Sequence, residues 1–296
     1  MVMWFLFVMV ASLFTAVYYF GNQLIRVSAN VFMLYRGLMP VLVLLPFLPW
    51  IGIIETWQFY MCCVIQGVVI AFIDNLNYRA MQKWGAEIVS ALHPLSIGVV
   101  FVLWFIFNPA QIMIFGQHPW QFVCTVLALS GVVYATCSLK KVPEIRKTLW
   151  FLLPYFLGAA LCDNMNKLCM SYLNEAELLR GSYFYILVTG AVVAVINLII
   201  YMGRNEPLKA IFKKQNLWCG AIMLLGIGSM LFKNLAMFNV SNPAYVTASL
   251  YLYVIWIMLA THIFTNLRVG NLFQQINHFK VILLLLSAIA LVFIDR

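Results

Sequence analysis

Long apolar runs separated by short polar breaks make up almost the whole chain. Ten runs predict helices, at residues 4–20, 32–48, 60–81, 86–107, 121–137, 149–170, 181–202, 217–238, 244–264 and 281–293. A helix needs roughly 20 mainly apolar residues to cross a bilayer, and these runs approach or meet that length. The breaks carry turn formers: Pro49 and Gly52, Lys83 to Gly85, Asn108-Pro109, His118-Pro119, Asn205 to Pro207 and Asn242-Pro243. Pro243 falls in the first turn of the ninth run, where a missing N–H is harmless. Pro40 and Pro94 lie inside runs and predict kinks whose freed carbonyls need a polar neighbour or water.

Polar residues break the apolar pattern at few places, and those places are the candidate sites. The sixth run, LWFLLPYFLGAALCDNMNKLCMSY, holds Asp163, Asn164, Asn166 and Lys167 near its far end. Ionisable groups inside a span cost several kcal/mol, so they face a partner or a water-filled cavity. Asp163, Asn166 and Lys167 stand three and four apart, on one helical face. That face predicts one wall of a polar cavity between helices. The competing reading is a neutralised Asp–Lys pair that only fixes packing.

The third run holds Asp74, Asn75, Asn77 and Tyr78. Asp74 has no cation one turn before it and Tyr78 at four beyond it. It must be protonated, hydrated or paired across helices, which makes it a proton-coupling candidate beside Asp163. The alternative is interhelical hydrogen bonding. Lys233 and Asn234 in the eighth run are placed to pair Asp74 or bind a substrate carboxylate, against simple snorkelling. His93, just before Pro94, is the third titrating candidate, against hydrogen-bonded packing. Glu87 reads as a helix-opening carboxylate, and His262 sits near a span end. Arg36 and Arg180 read first as interfacial anchors, with carboxylate recognition as the alternative. Tyr251 and Trp104 are candidate stacking surfaces for a ring or cation. The remaining aromatics, including Tyr245, Tyr253 and Trp256 of the ninth run, read as belt and packing.

Composition narrows the class. The 296 residues are 65% hydrophobic and 9% charged, whereas a soluble domain carries about 25% charged residues. The expectation is an all-α, polytopic membrane protein with almost no soluble domain. Its net charge is +9, but no aromatic-basic patch points to nucleic acid. The loops after odd-numbered runs hold Arg26, Lys83, Lys140, Lys141, Arg146, Lys147, Arg204, Lys209, Lys213, Lys214, Arg268 and Lys280. By the positive-inside rule those loops are cytoplasmic and both termini extracytoplasmic. The expected location is a plasma membrane of the bacterial inner type. The first run has no basic flank and no small-residue cleavage pattern, so it reads as a retained span. The seven Cys include the adjacent Cys62-Cys63 but no CxxC or metal spacing, and read as small buried hydrophobes. No phosphate-cradling glycine loop, nucleophile elbow or zinc motif occurs, so no enzyme, cofactor or metal is expected.

Short internal matches recur in order. Asn22-Gln23-Leu24 returns as Asn166-Lys167-Leu168 and Arg36-Gly37 as Arg180-Gly181, both shifted by 144 residues. Ala80-Met81 returns as Ala236-Met237, shifted by 156. The matches support two five-helix halves, 1–137 and 149–296, joined by a basic linker at 138–148. An odd number of spans per half inverts the second copy, and such proteins place a ligand near the midplane where the halves meet. At this alignment Pro94 corresponds to Leu250, so the kink of the fourth run is not expected in the ninth.

Ten spans in two inverted halves, with YRAMQKWGAEIVSALHPLSIGVVFVLW across the third and fourth, resemble the EamA type of the drug/metabolite transporter superfamily. The second-half stretch KNLAMFNVSNPAYVTASLYLYVIW has the same hairpin form. LALSGVVYA in the fifth run is similar to the family's glycine-containing close, and LCDNMNKL to the polar-then-Lys ending of many sixth spans. The resemblance implies secondary transport of small metabolites, amino acids or drugs without ATP. Members usually have cytoplasmic termini, whereas the loop charges here argue the reverse. The mixture of acids, a lysine and amides suits a zwitterionic amino acid or nucleoside-type metabolite. The substrate residues expected are Asp163, Asn166, Lys167, Asn77, Tyr78, Lys233, Asn234, Trp104 and Tyr251, with Asp74, Asp163 and His93 for a proton. Expected partners are a small-molecule substrate and the lipid bilayer, and a homodimer stays open. The alternatives are a broad exporter of drugs and lipophilic cations, and a non-transporting membrane assembly partner.

Overall fold

A computed structural model describes residues 3–24, 28–84, 89, 92–137, 145–204, 211, 214–263 and 278–295. Glu87, the linker up to residue 144, and Arg26, Lys140, Lys141, Lys209, Lys213 and Arg268 lie outside the described residues, as do the side chains of Asn22, Gln23, Lys214 and His262. Among the described residues the chain is all-helical, with no strand. The helices are α1 (Met3–Leu24), α2 (Ala29–Leu44), α3 (Trp57–Trp84), α4 (Ser96–Phe107), α5 (Ala110–Gln117) and α6 (Pro119–Cys137), then α7 (Ile145–Ser171), α8 (Leu178–Gly203), α9 (Lys214–Asn239), α10 (Pro243–Leu250), α11 (Tyr253–Ile263) and α12 (His278–Ile294).

Local chemistry sets several helix starts. Ahead of α8, Asn174 and Glu177 form a capping box: Asn174 Oδ1 accepts from Glu177 N at 3.0 Å and Glu177 Oε2 accepts from Asn174 N at 3.3 Å. At α10, Asn242 accepts from Ala244 N at 2.9 Å and Pro243 occupies the first helical position. α2 runs unbroken through Pro40 and tightens into a 3₁₀ segment over Leu45–Trp50.

Among the described residues five helices are long and apolar enough to cross a membrane, Asn30–Trp50, Trp57–Ala80, Pro119–Cys137, Glu175–Gly203 and Leu217–Asn239, or six if the bent pair His93–Phe107 and Ala110–Gln117 is one span. Met3–Tyr19, Pro243–Ile257 and Phe279–Ile294 are shorter apolar helices. The 27 residues of α7 are long enough, but the polar residues near its end lower its apolar character. Large apolar side chains stand exposed on nearly every helix, among them Leu6, Phe72, Ile106, Leu127, Val195, Ile199 and Leu286. Water is a poor neighbour for so much contiguous apolar surface, and hydrocarbon is a suitable one. These features fit an integral membrane protein.

Packing links the first part of the chain to the second. α1 lies against α9, α10 and α11; α2 against α8 and α9; α3 against α7 and α8; α4 against α7 and α10; and α6 against α12. Glycine permits the closest crossing. A Cβ on Gly37 would collide with the Ala194 backbone, and one on Gly190 would come within 2.8 Å of Pro40, so α2 and α8 touch backbone to backbone.

Two features depart from the sequence expectation. Residues 108–119, expected as a plain break, contain α5, which bends by 108° from the helix before it. The ninth run, expected to continue through Leu250, is interrupted at Tyr251 and Leu252. There the N–H of Tyr251 bonds the carbonyls of Ala248 and Ser249, and Leu252 N bonds Ser249 O at 3.0 Å. The i−3 pattern tightens the turn without any proline. The fourth run breaks at His93–Leu95, also a 3₁₀ segment. Both runs thus contain a short stretch of i−3 hydrogen bonding.

Candidate functional site

The polar residues of α7 separate in three directions. Lys233 Nζ of α9 donates to Asp163 Oδ1 at 2.5 Å, and Thr247 Oγ1 of α10 donates to Asp163 Oδ2 at 2.7 Å. Asn166 Nδ2 donates to Asn234 Oδ1 at 3.0 Å. Lys167, expected on the same wall as Asp163, instead donates to the Phe238 carbonyl at 3.2 Å and faces Asp295. Asn164 is fully buried and bonds the carbonyls of Val100 and Ala160, pinning α7 to α4. The expected single wall is thus an ion pair, an amide pair and two packing contacts. No Asp163–Lys167 pair forms, because each side chain finds a partner on another helix.

Asp74 is paired across helices, with Arg36 of α2. Arg36 also bonds the Tyr18 side chain. This corrects two expectations: Lys233 does not reach Asp74, and Arg36 is no mere interfacial anchor. Arg180 Nη2 donates to Glu177 Oε1 at 3.1 Å. Asn75 holds α3 to α8 through Asn197 at 2.8 Å. Asn77 meets His93 Nε2 at 2.9 Å, and the His93 ring lies 4.7 Å from that of Tyr155. Tyr78 stacks on Phe32 with ring centroids 5.0 Å apart.

The two ion pairs lie close along the bundle axis. α3 and α7 are antiparallel, with Cys169 on Phe59 O at 3.8 Å, Gln66 on Cys162 O at 2.9 Å, and Gly158 against Ile73. Asp74 is therefore level with Gly158. Five residues separate Gly158 from Asp163, roughly 8 Å along the axis at 1.5 Å per residue. Cys162 lies within electrostatic reach of Asp163, Asp74, Lys233 and Arg36, and Tyr155 of both acids, Tyr19 and Tyr253. Both pairs stay partly open: side-chain exposure is 29% for Arg36 and 17% for Asp74, 20% for Lys233 and 13% for Asp163.

The two helix interruptions meet beside them. Ser96, at the start of α4, donates to the His93 carbonyl at 2.8 Å and faces the Tyr251 hydroxyl. Tyr251 packs on Tyr253 at 5.8 Å, and Tyr253 on Tyr19 at 5.0 Å. Trp104 is buried in α4, and nothing among the described residues joins it to either ion pair. At one rim, Asp295 accepts from Ser241 N at 3.1 Å and from the Ser241 hydroxyl. Burial pushes the Asp295 carboxyl above its ordinary value, and the Ser241 bonds and the Lys167 charge partly offset this.

Sequence reasoning missed Thr247, Tyr155 and Tyr19, and missed Arg36 as a partner. Thr247 carried a usable signal: a hydroxyl one turn ahead of a broken helix in an otherwise apolar span. Among the described residues no group of three His, Cys, Asp or Glu side chains is placed to hold a metal ion. No protein-family model matches the chain, and no curated protein matches it.

Proposed function

We propose that the chain is a secondary transporter that carries a small polar or zwitterionic metabolite, an amino acid or nucleoside-type compound, across a plasma membrane without ATP. The observation that carries the reading is the pair of partly exposed carboxylate–cation contacts, about 8 Å apart along the axis, close to where the tightened turns of the fourth and ninth runs approach each other. Charged side chains with exposed surface do not face hydrocarbon cheaply, which supports a watery rather than a lipid surrounding for them. Interrupted helices in corresponding places of two halves are a strong pointer to a transporter's binding site.

Ten spans in two inverted halves are part of the proposal, as is membership of the EamA type that the sequence resembles. Exchanging each run for the one five later turns the contact of α1 with α9 into that of α7 with α3. It turns α4 with α7 into α10 with α1, and leaves α2 with α8, α4 with α10 and α6 with α12 unchanged. A pseudo-twofold relation produces this pattern. Both termini are placed on the extracytoplasmic side by the loop charges.

The site is neutral as a whole, with two acids and two bases in contact. A zwitterion replaces such contacts one for one: its ammonium takes Asp163 as Lys233 lets go, and its carboxylate takes the freed cation. A proton reaches either acid only when its protein cation is displaced, which ties protonation to substrate arrival. Rocking of the halves then exposes the site to each side in turn.

The test is flux in proteoliposomes, with substrate found by thermal shift against a metabolite panel, since a ligand that binds only the folded state raises its stability. Saturable uptake that Asp163→Asn abolishes is the expected result. Asp163→Asn flux equal to that of the unaltered protein overturns the site. A cytoplasm-active reporter that works when fused to the C-terminus overturns the orientation.

A further inference from the structure

One end of the bundle carries an apolar groove with a charged rim, and none of its residues belongs to the transport site. Leu44, Phe47, Trp50, Ile51 and Tyr183 line a cavity of about 440 Å³, a size typical of small-ligand sites. Its wall is fixed in place. The Tyr183 hydroxyl of α8 donates to the Leu44 carbonyl at 2.7 Å, where α2 passes into the 3₁₀ segment. Pro46 and Pro49 hold the turns of that segment. Phe47 and Trp50 are exposed at the groove, and exposed Trp57 opens α3 seven residues on. Tryptophans so placed mark the level where hydrocarbon gives way to headgroups. Arg180 stands one turn before Tyr183, at the mouth, with 34% of its side chain exposed. Its Nη2 donates to Glu177, its Nη1 lies near Gly52, where an added Cβ would stand 3.2 Å away, and its Nε is buried with no hydrogen-bond partner. A guanidinium in the first turn of a helix opposes the helix dipole, so helix stability does not account for it. Residues 44–60 and 172–183 hold Glu55, Glu175 and Glu177 and no base besides Arg180.

We propose that this groove is a lipid site that binds one phosphatidylethanolamine of the surrounding bilayer. An acyl chain lies along Phe47 and Trp50, the phosphate accepts from the Arg180 N–H groups that Glu177 leaves unused, and the ammonium donates to the carboxylates around it. One cation among three carboxylates is the complement of a headgroup that carries both an anion and a cation with N–H groups to give. Phosphatidylglycerol brings no cation to those carboxylates, and the ammonium of phosphatidylcholine has no N–H. The site requires only that the chain lies in a membrane and is independent of transport.

The purified full chain in detergent is offered phosphatidylethanolamine, phosphatidylglycerol and phosphatidylcholine with identical acyl chains in equal amounts, and the lipid retained is read by native mass spectrometry. The expected result is one phosphatidylethanolamine per chain, held about fivefold over either competitor, the scale of a single partly exposed charged contact. Glu177→Gln, which keeps the capping-box acceptor, narrows that preference. Arg180→Gln weakens retention of all three lipids, and Phe47→Ser does the same at an exposed position without touching a charge. Melting curves taken without lipid show whether each variant is folded; if Arg180→Gln melts early, Phe47→Ser and Glu177→Gln decide. Equal retention of the three lipids, a preference for phosphatidylglycerol, a dimer of the chain in place of bound lipid, or retention unchanged in Phe47→Ser overturns the proposal.

Discussion

Asp74 and Asp163 are both held by cations on neighbouring helices, yet their surroundings prepare them for different work. Asp74 has an arginine, a planar fork that fits a carboxylate and is in turn fixed by the Tyr18 side chain. Asp163 has a lysine, a point charge on a flexible stem, and a second partner in the Thr247 hydroxyl. In the proposed exchange, the Thr247 hydroxyl would keep one carboxylate oxygen satisfied while Lys233 leaves. Asp74 has no such reserve hydroxyl among its described contacts, and its pair is better built to hold α2 against α3. Equal charge is thus compatible with unequal roles, exchange at one pair and positioning at the other.

Lys233→Ala tests the exchange role and carries the largest expected effect. Breaking a dry buried pair from one side costs about 3–5 kcal/mol. The partial opening of both side chains to water reduces that to roughly 2 kcal/mol, or about thirtyfold in flux. Proteoliposome uptake measures it. Lys233→Ala equal to Lys233→Arg would show that no mobile cation is needed. Asp74→Asn ranks second, with a loss of about 1–2 kcal/mol in thermal or denaturant stability and less than tenfold in flux. If its flux falls further than that of Lys233→Ala, the assignment of roles is reversed. Thr247→Val follows, removing one neutral-to-charged hydrogen bond worth about 1.5 kcal/mol at most. Combined with Lys233→Ala it should cost more than the two separate losses added together, because Asp163 then loses both partners.

The helices were legible because burial in lipid writes a simple code, a run of apolar residues ended by turn formers. Asp163, Asp74 and Lys233 were legible because a charge in such a run is costly enough to require a reason. Their partners were not. Spacing three and four apart places Asp163 and Lys167 on one face, but not which neighbour each will meet; here both meet α9, at Lys233 and at the Phe238 carbonyl five residues further on. Lys233 joins Asp163 from 70 positions away, a separation that periodicity does not address. Asn164 looked like part of the polar wall, yet it is buried against α4 and bonds carbonyls. α5 was hidden for the opposite reason: its eight residues fall between two Asn/His-Pro breaks and look like a loop.

The interruption at Tyr251 shows most clearly where local signals end. The sequence has a proline at one break and a leucine, Leu250, at the matching position of the other, and both break. Contacts shared by the two explain it better than the ring of Pro94 does. The Ser96 hydroxyl takes up the His93 carbonyl, His93 is held by Asn77, and Ser96 meets Tyr251 across the junction. Pro94→Ala should therefore leave the fourth-run break in place. Its expected cost is within about 1 kcal/mol, since an X-to-Ala change at a proline acts largely through the freedom of the unfolded chain. Thermal melts and flux check this together. A loss matching that of Thr247→Val would show that the proline ring makes the first break and that the second arose by a separate route, in which case the likeness of the two interruptions would no longer support a shared site between them.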